Sequence, residues 1–182
     1  MERIKLERFN YRKYLIPLFD MMQSGDDSML FSTKFTCNTY ESFELFLKTN
    51  FQGYYHEFFV IEAENEFGLK GFLYSYDYHP QDGVLKICVV IDKKYRKSGI
   101  GAQATIEFMD YLFKNYSLRK IYSPTFSYNT ESYKAQLDAG MQEEGRLKEY
   151  RYYDGKYHDL IILAITREEF YNRYSAFLNG NK

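Results

Sequence analysis

The sequence predicts a mixed α/β fold (α+β in its layout), with a mixed central sheet of about seven strands and helices on both faces. Strand-like segments, which alternate apolar and polar residues or run apolar throughout, recur between segments of helical period. The segment that follows residue 92 predicts one β-α-β crossover. Because the 182 residues contain no repeat and no Pro/Gly/Ser-rich linker, we expect a single domain over residues 1–182.

The composition argues against several classes of function. Lys and Arg (24) nearly balance Asp and Glu (25), so neither a nucleic-acid nor a membrane surface is expected. The start MERIKLERFN lacks the apolar core of a signal peptide, and no apolar run reaches about 18 residues, so we expect a cytoplasmic protein. Cys37 and Cys88 are too few for a disulfide framework and lie in no metal-ligand spacing, so no metal is expected. One chain does not fix the oligomeric state, and a homodimer stays open.

The N-terminal third predicts a strand and two helices. Residues 4–9 alternate apolar and charged side chains, as an edge strand does. A helix over 11–22 contains Pro17, which is expected to kink it or end it early. Thr39 or Ser42 can cap the next helix, whose apolar residues recur at helical spacing.

The middle of the chain predicts three strands and the crossover helix. Segments 57–63 and 67–78 form an antiparallel hairpin. The apolar run within 83–92 is typical of a central strand covered on both faces. After Gly99 the apolar residues recur with the period of a helix. The predicted buried stripe of that helix comprises Ala102, Ile106, Met109, Phe113 and Tyr116.

The C-terminal third predicts a strand, a helix, a hairpin and a last helix. Asn129 or Thr130 can cap the first of these helices, and Gly140 ends it. Asp154-Gly155 is a hairpin signal between two further strands, and residues 167–180 follow as a helix. The predicted order of elements is β-α-α-β-β-β-α-β-α-β-β-α.

The turn before the crossover helix has the composition of an anion site. A helix N-terminus presents unpaired backbone N–H groups and the positive end of its dipole, and glycines let a phosphate approach them. Gly99 and Gly101 stand at this position. Four cations precede them: Lys93, Lys94, Arg96 and Lys97. A structural explanation stays open, in which Gly99 relieves a tight turn, Gly101 makes room for helix packing and the cations are solvated.

Two familiar phosphate-binding motifs fit this turn poorly. The letters GIGAQA satisfy the dinucleotide pattern G-x-G-x-x-A, but six residues separate them from the strand. The acidic residue expected about 20 positions later is also missing. A P-loop is excluded because no Gly-Lys-Ser/Thr closes the motif.

A known family shares the pattern of this turn. Residues 96–102 (RKSGIGA) resemble the R/Q-x-x-G-x-G/A signature of the GNAT N-acetyltransferases. Downstream, Asn129 followed by Ser132, the helix end DAGM and the segment EEGRLKEYRYYDGKYHDLIILAI are similar to the branch that acetylates ribosomal-protein N-termini (alanine or serine) and to its relatives acting on small amines. The resemblance covers residues 84–168 and reaches the N-terminal third only in element order. It implies the GNAT fold.

The resemblance also implies acetyl-CoA as cosubstrate and a set of residues that bind it. Backbone N–H groups over 97–102 would bind the pyrophosphate, supported by Arg96, and strand residues 89–91 would pair with the pantetheine arm. Asn129 would contact the pantetheine or the adenosine side, and Lys134 the adenosine phosphate. The implied cofactor residues are therefore Val89, Val90, Ile91, Arg96, Lys97, Ser98, Gly99, Ile100, Gly101, Ala102, Asn129 and Lys134.

The catalytic residues follow less directly from the resemblance. Ser132 is the implied proton donor to the departing thiolate, and Tyr133 is a second candidate acid. Two positions depart from the family pattern, since Lys86 replaces a frequent glutamate base and Gln136 replaces a frequent tyrosine. Substitutes near strand ends, each also explicable as a structural or solvated residue, are Asp77, His79, Glu143 and Asp159. No histidine, including His56 and His158, is favoured for catalysis.

The expected acceptor is a primary amine, with a protein N-terminus first and a small amine (polyamine, amino sugar or antibiotic) second. An α-amine, with a pKa of about 8, needs less help from a base than a lysine-like amine at about 10.4. The absent base and tyrosine leave open a non-catalytic acyl-CoA-binding module. Aromatic residues that could line an amine pocket, or simply fill the core, are Phe31, Phe35, Tyr40, Tyr54 and Tyr55.

Overall fold

The structure, a computed structural model, describes residues 3–23, 37–51, 57–63 and 66–180. Within these ranges the strands are β1 (Ile4–Arg8), β2 (Phe58–Ala63), β3 (Glu66–His79), β4 (Val84–Ile91), β5 (Lys120–Phe126), β6 (Gln142–Tyr153) and β7 (Lys156–Thr166). The helices are α1 (Tyr11–Gln23), α2 (Tyr40–Phe51), α3 (Ile100–Asn115), α4 (Thr130–Asp138) and α5 (Arg167–Gly180). A 3₁₀ turn over Lys93–Tyr95 precedes α3. The predicted order of elements is confirmed.

The strands form one seven-stranded sheet in the order β1-β2-β3-β4-β5-β7-β6. β4 and β5 pair in parallel across the α3 crossover, whereas β1 with β2, β2 with β3, β5 with β7 and β6 with β7 are antiparallel. The predicted mixed α/β sheet is therefore confirmed. The chain divides into two compact units, a first unit of 1–74 with 89–104 and a second unit of 75–88 with 105–182.

In the first unit, α1 and α2 bury apolar residues against each other. Leu18 and Phe19 of α1 are buried, and the Phe19 ring lies 5.5 Å from the ring of Phe43 in α2. α1 continues through Pro17 to Gln23, so the expected early end of this helix is not observed. Proline removes one backbone hydrogen bond, and burial of the two residues that follow it compensates for that loss.

The start of α2 resolves the choice between two capping residues. Ser42 N donates to Thr39 Oγ1 at 3.2 Å, while Thr39 N donates to Ser42 Oγ at 3.2 Å. The helix begins at Tyr40, so Thr39 is the cap and Ser42 returns the hydrogen bond from inside the first turn.

The buried side of α3 differs from the predicted stripe. Ala102 is exposed, and Tyr116 lies beyond the helix and is half-buried. The buried residues of α3 are Ile100, Ala104, Ile106, Phe108, Met109, Leu112 and Phe113. Ile106, Met109 and Phe113 are therefore buried as predicted, and the buried face also includes residues that the predicted stripe left out.

Local backbone conformations and hydrogen bonds fix the end of α4, the turn between β6 and β7, and the start of α5. Gly140 has a φ of +84° and its N–H donates to Leu137 O at 2.9 Å, ending α4 as predicted. Asp154 and Gly155 have φ of 49° and 78°, as a two-residue turn of type I′ requires. At the start of α5, Thr166 N donates to the Glu169 carboxylate at 2.8 Å, and the N–H of Glu169 donates to Thr166 Oγ1 at 3.2 Å. This reciprocal capping box fixes where α5 begins.

The pairing of β6 with β7 contains a bulge. The register breaks between Leu147 and Arg151, so that residues 148–150 lie opposite Asp159 alone. Glu149, within the bulge, has a φ of 53°, and its N–H donates to Asp159 Oδ1 at 3.0 Å. One carboxylate thus holds the extra backbone in place.

Candidate functional site

β4 leads into the turn expected to bind phosphate, and hydrogen bonds fix the start of that turn. Asp92 N donates to Lys70 O at 2.9 Å, and Asp92 Oδ1 accepts from Lys94 N at 2.9 Å, which caps the 3₁₀ turn. Arg96 Nε donates to Ile91 O at 3.2 Å. The guanidinium is therefore anchored at the end of β4, beside the backbone that the family resemblance assigns to the cofactor.

Both glycines of the turn have a structural role. Gly99 has a φ of +89°, which is unfavourable for other residues, and its carbonyl accepts the N–H of Gln103 at 3.1 Å in the first turn of α3. A Cβ at Gly101 would lie 3.0 Å from Ile91 Cγ1, so any larger residue would require the Ile91 side chain to move. The geometry supports the structural explanation of the glycines, and it leaves phosphate binding as a proposal.

A buried lysine lies behind this turn. Lys70 in β3 is only 2% exposed, and its Nζ lies 4.0 Å from the centroid of the Tyr95 ring. A cation over an aromatic face is attracted by the ring quadrupole, most strongly when water is excluded. The side chain and the carbonyl of Lys70 therefore both contact the turn, and sequence patterning alone gave no sign of this.

The side chains at the end of β4 are more exposed to solvent than those at its start. Leu85 and Ile87 are buried, but Val89, Val90 and Ile91 are each half-buried. Leu85 and Ile87 share one face of the strand, and the residues of the opposite face are half-buried, so the expected cover on both faces is wrong. Val89, Val90 and Ile91 are the residues that the family resemblance assigns to the pantetheine arm.

In the second unit, the residue at the usual base position is held in an ion pair. The parallel ladder joins Val84–Lys86 to Lys120–Tyr122, with Lys86 in its last pair. Lys86 Nζ lies 2.5 Å from Asp77 Oδ2, and His79 Nε2 lies 3.0 Å from the other carboxylate oxygen. Hydrogen bonds from Lys86 first and His79 second hold the pKa of Asp77 below its ordinary value. Asp77 is thus a weak base, and the cation beside it cannot replace a glutamate.

α4 brings Ser132 between two amide side chains. Asn129 caps the helix, its Oδ1 accepting the N–H of Ser132 at 3.2 Å. Gln136, one turn further on, donates from Nε2 to Ser132 Oγ at 2.9 Å. Lys134 is exposed. The structure therefore brings together Asn129, Ser132 and Gln136, three residues that the sequence had singled out separately.

Tyr133 belongs to a different hydrogen-bond network. Its Oη donates to Glu143 Oε2 at 3.0 Å, and this hydrogen bond raises the pKa of the Tyr133 hydroxyl. Arg146 contacts both Glu143 (3.1 Å) and Asp159 (3.3 Å). The pKa of Glu143 is lowered chiefly by Arg146, and that of Asp159 chiefly by the N–H of Glu149. All three candidate groups are therefore engaged, and none of them is favoured as an acid or a base at neutral pH.

His158 and Tyr40 are held by contacts that a structural role explains. The His158 ring lies 4.8 Å from the ring of Tyr128, and a ring nitrogen is 3.2 Å from Tyr153 O, so this histidine packs within the terminal hairpin. Tyr40 donates from Oη to Asp20 at 3.2 Å. Five candidates lie outside the described residues: Phe31, Phe35, Tyr54, Tyr55 and His56.

The predicted cofactor and catalytic residues fall into two groups. The first unit contains Val89, Val90, Ile91, Arg96, Lys97, Ser98, Gly99, Ile100, Gly101 and Ala102. The second unit contains Asn129, Ser132, Tyr133 and Lys134. Among the described residues, no group of three or more His, Cys, Asp or Glu is arranged to hold a metal ion. In the same part of the chain, no helix combines the length and apolarity needed to cross a membrane.

The comparison with protein families identifies the class of this fold. Residues 20–162 match the model of the acetyltransferase (GNAT) domain. The protein therefore belongs to the GNAT acetyltransferase family, as its turn signature indicates. One relative is the SPbeta prophage-derived uncharacterized N-acetyltransferase YokL of Bacillus subtilis (strain 168), 25% identical over 114 residues. That match covers 63% of this chain and 64% of the relative, so less than two thirds of the relative's length is spanned.

Solved structures with the same fold include spermidine acetyltransferases. A mutant form of the spermidine/spermine N-acetyltransferase SpeG from Vibrio cholerae aligns with a TM-score of 0.79 at 18% identity, covering 93% of this chain and 97% of that one. Spermidine N-acetyltransferase from the same organism in complex with CoA and spermine aligns with a TM-score of 0.79 at 18% identity, covering 92% and 97%. At these identities the likeness establishes the fold alone.

Proposed function

We propose that this protein is an acetyl-CoA-dependent N-acetyltransferase whose acceptor is a small amine of the polyamine class. The observation that carries the substrate class is the fold match along 92% of the chain to an acetyltransferase solved with CoA and spermine. Family membership supports the reaction type. The family match runs through both compact units, which supports our proposal that residues 1–182 act as one domain.

This acceptor reverses the order expected from the sequence. The resemblance to the ribosomal-protein branch put a protein N-terminus first, whereas the solved structures with the same fold act on polyamines by their descriptions. The small amine therefore becomes the first acceptor class, and the protein N-terminus becomes the second. Both share the same chemistry at the thioester, so one assay can separate them.

For cosubstrate binding, we propose that backbone N–H groups over 97–102 bind the pyrophosphate. The supporting observations are the positive φ of Gly99 and the hydrogen bond from Arg96 Nε to Ile91 O, both of which constrain the backbone of the turn. The half-buried strand end 89–91 would pair with the pantetheine arm. Asn129 and Lys134 are assigned to the cofactor on the family resemblance.

Acetyl transfer forms a C–N bond and breaks the C–S bond, so the enzyme must assist the departing thiolate and a free amine must be available. Ser132 is our proposed hydrogen-bond donor to the thiolate, which needs only a neutral hydroxyl near the sulfur. Asp77, Glu143 and Asp159 have lowered pKa values and are weak bases. We propose that solvent water accepts the amine proton, so that turnover rises with pH as the deprotonated fraction of the amine increases.

The direct test incubates the purified protein with isotopically labelled acetyl-CoA and a mixture of spermidine, spermine and a peptide with a free N-terminus. Labelled polyamine, detected by mass spectrometry, is the expected product. Label on the peptide alone would replace the proposed acceptor with a protein N-terminus. Absence of acetyl-CoA binding in calorimetry by a folded protein would overturn the proposal altogether.

A non-catalytic acyl-CoA-binding module is the second candidate, favoured by Lys86 at the usual base position and by Gln136 at the usual tyrosine position. It predicts acetyl-CoA binding without any labelled product. Gly101→Trp tests the acetyl-CoA site for both candidate functions, because both require acetyl-CoA to bind at this turn. Its side chain would have to displace Ile91, which a Cβ alone would already approach to 3.0 Å, so acetyl-CoA affinity should be lost.

A further inference from the structure

Gln136 is placed to control the hydroxyl of Ser132. Its Nε2 donates to Ser132 Oγ at 2.9 Å across one turn of α4, and the backbone of Ser132 is held by Asn129 at the helix cap. A hydroxyl that accepts from an amide keeps its own proton for another acceptor. Ser132 is therefore held at both its backbone and its side chain, and its O–H group can donate a hydrogen bond to a further acceptor.

This arrangement leaves one buried polar atom of Gln136 unsatisfied. Gln136 Oε1 is buried and, within the described part of the chain, has no hydrogen-bond partner. A buried acceptor without a donor destabilises the folded state. A side chain of similar size without that oxygen would fill the same space at no such cost, so packing alone gives no reason for glutamine at this position.

We propose that Gln136 is a positioning residue for acetyl transfer, which aims the Ser132 hydroxyl at the departing thiolate. This inference rests on the proposed function and deepens it. When the amine nitrogen bonds to the acetyl carbon, the C–S electron pair stays on sulfur, and the amine proton passes to water. Ser132 keeps its proton and donates a hydrogen bond to the thiolate. Tyr133 is not used in this way, because its hydroxyl donates to Glu143.

The test replaces the amide by an apolar chain of similar length, Gln136→Met. Because one neutral hydrogen bond orients the donor, kcat should fall about 3- to 10-fold, with KM for acetyl-CoA unchanged. The midpoint of thermal unfolding should stay the same or rise, since the unpartnered oxygen is gone. A merely structural role would lower it. Gln142→Met is the matched control, because Gln142 is exposed and contacts Glu169, and it should leave kcat unchanged.

A second variant and a double-mutant cycle keep the test decisive. In Gln136→Glu the carboxylate accepts a hydrogen bond from the Ser132 hydroxyl and turns it away from the thiolate. The ratio of its kcat to that of the wild type at the same pH should therefore be low at neutral pH and rise as the carboxyl is protonated. In a Ser132→Ala background, Gln136→Met should have no further effect on kcat, because Gln136 acts only through Ser132.

The outcomes separate this inference from the proposed function. A wild-type protein that acetylates no amine overturns both. An active wild type whose kcat is unchanged by Gln136→Met, or a full additional loss in the Ser132→Ala background, overturns only the role of Gln136. A lowered unfolding midpoint with kcat unchanged would make Gln136 a structural residue.

Discussion

Gly71 in β3 gives the most direct test of how the cofactor strand is held. A Cβ built at Gly71 would overlap the carbonyl oxygen of Val90 and lie 3.2 Å from Ile91 Cα. Both are backbone atoms of β4, so Gly71→Ala cannot be relieved by a side-chain rotation and must push β4 away.

The expected loss of stability follows from these contacts. Overpacking typically costs about 1–3 kcal/mol, and the upper part of that range applies where backbone must move. Reduced entropy of the unfolded chain returns about 0.4–1 kcal/mol when glycine becomes alanine. The net loss is about 1–2.5 kcal/mol, which lowers the midpoint of thermal unfolding by roughly 2–10 °C for a chain of this length.

The assay compares thermal and urea unfolding of Gly71→Ala with those of Gly68→Ala. Gly68 lies in the same strand, and a Cβ there would meet nothing within 4 Å, so this control should be as stable as the wild type or slightly more so. Because Val90 and Ile91 belong to the proposed cofactor strand, acetyl-CoA affinity should fall in Gly71→Ala alone. Equal stability of the two variants would show that the close approach of β3 and β4 has been misjudged.

Three further predictions concern stability. The hydrogen bond from Lys13, followed by that from Lys5, lowers the pKa of Glu7 from 4.5 to about 2. The ionised Glu7 carboxylate therefore adds to the free energy of unfolding above pH 4.5, and this contribution is lost as the pH falls toward 2. Glu7→Gln should therefore lose less stability than the wild type over that interval in acid titrations followed by circular dichroism. Gly155→Ala should cost about 1–2 kcal/mol in urea unfolding, because the φ of Gly155 is +78°. Gly145→Ala is the control, since a Cβ at Gly145 would meet nothing within 4 Å. A similar loss of stability in both variants would contradict the explanation from backbone conformation. Thr166→Ala removes the capping box of α5 and should cost about 1 kcal/mol in urea unfolding, and an unchanged unfolding midpoint would show that tertiary packing alone sets the helix start.

The order of elements could be predicted because the chain marks its boundaries with strong local signals. Gly140 and the Asp154-Gly155 pair adopt positive φ, and few residue types other than glycine and aspartate favour such a conformation. Asn129 caps α4 through its own side chain. These signals depend on a few neighbouring residues, so they can be recognised without knowing the tertiary structure.

The contacts of the candidate site could not be predicted in the same way. The pairing of Lys86 with Asp77 depends on the hairpin that joins β3 to β4. The burial of Lys70 against Tyr95 needs the position of a turn 25 residues later in the sequence. The hydrogen bond of Gln136 to Ser132 was within reach, because residues four apart share a helix face. The sequence interpretation treated the two residues separately and so missed it.

The bulge of β6 also affects how the protein meets other copies of itself. β6 is the last strand in the sheet order, and a long, regular edge strand is a template for pairing with another chain. Residues 148–150 interrupt this edge, and the positive φ of Glu149, fixed by Asp159, breaks the regular spacing of its N–H and C=O groups. A strand from a second molecule could follow only a short stretch on either side. By holding the bulge, the carboxylate of Asp159 is expected to disfavour edge-to-edge pairing between two copies of this protein.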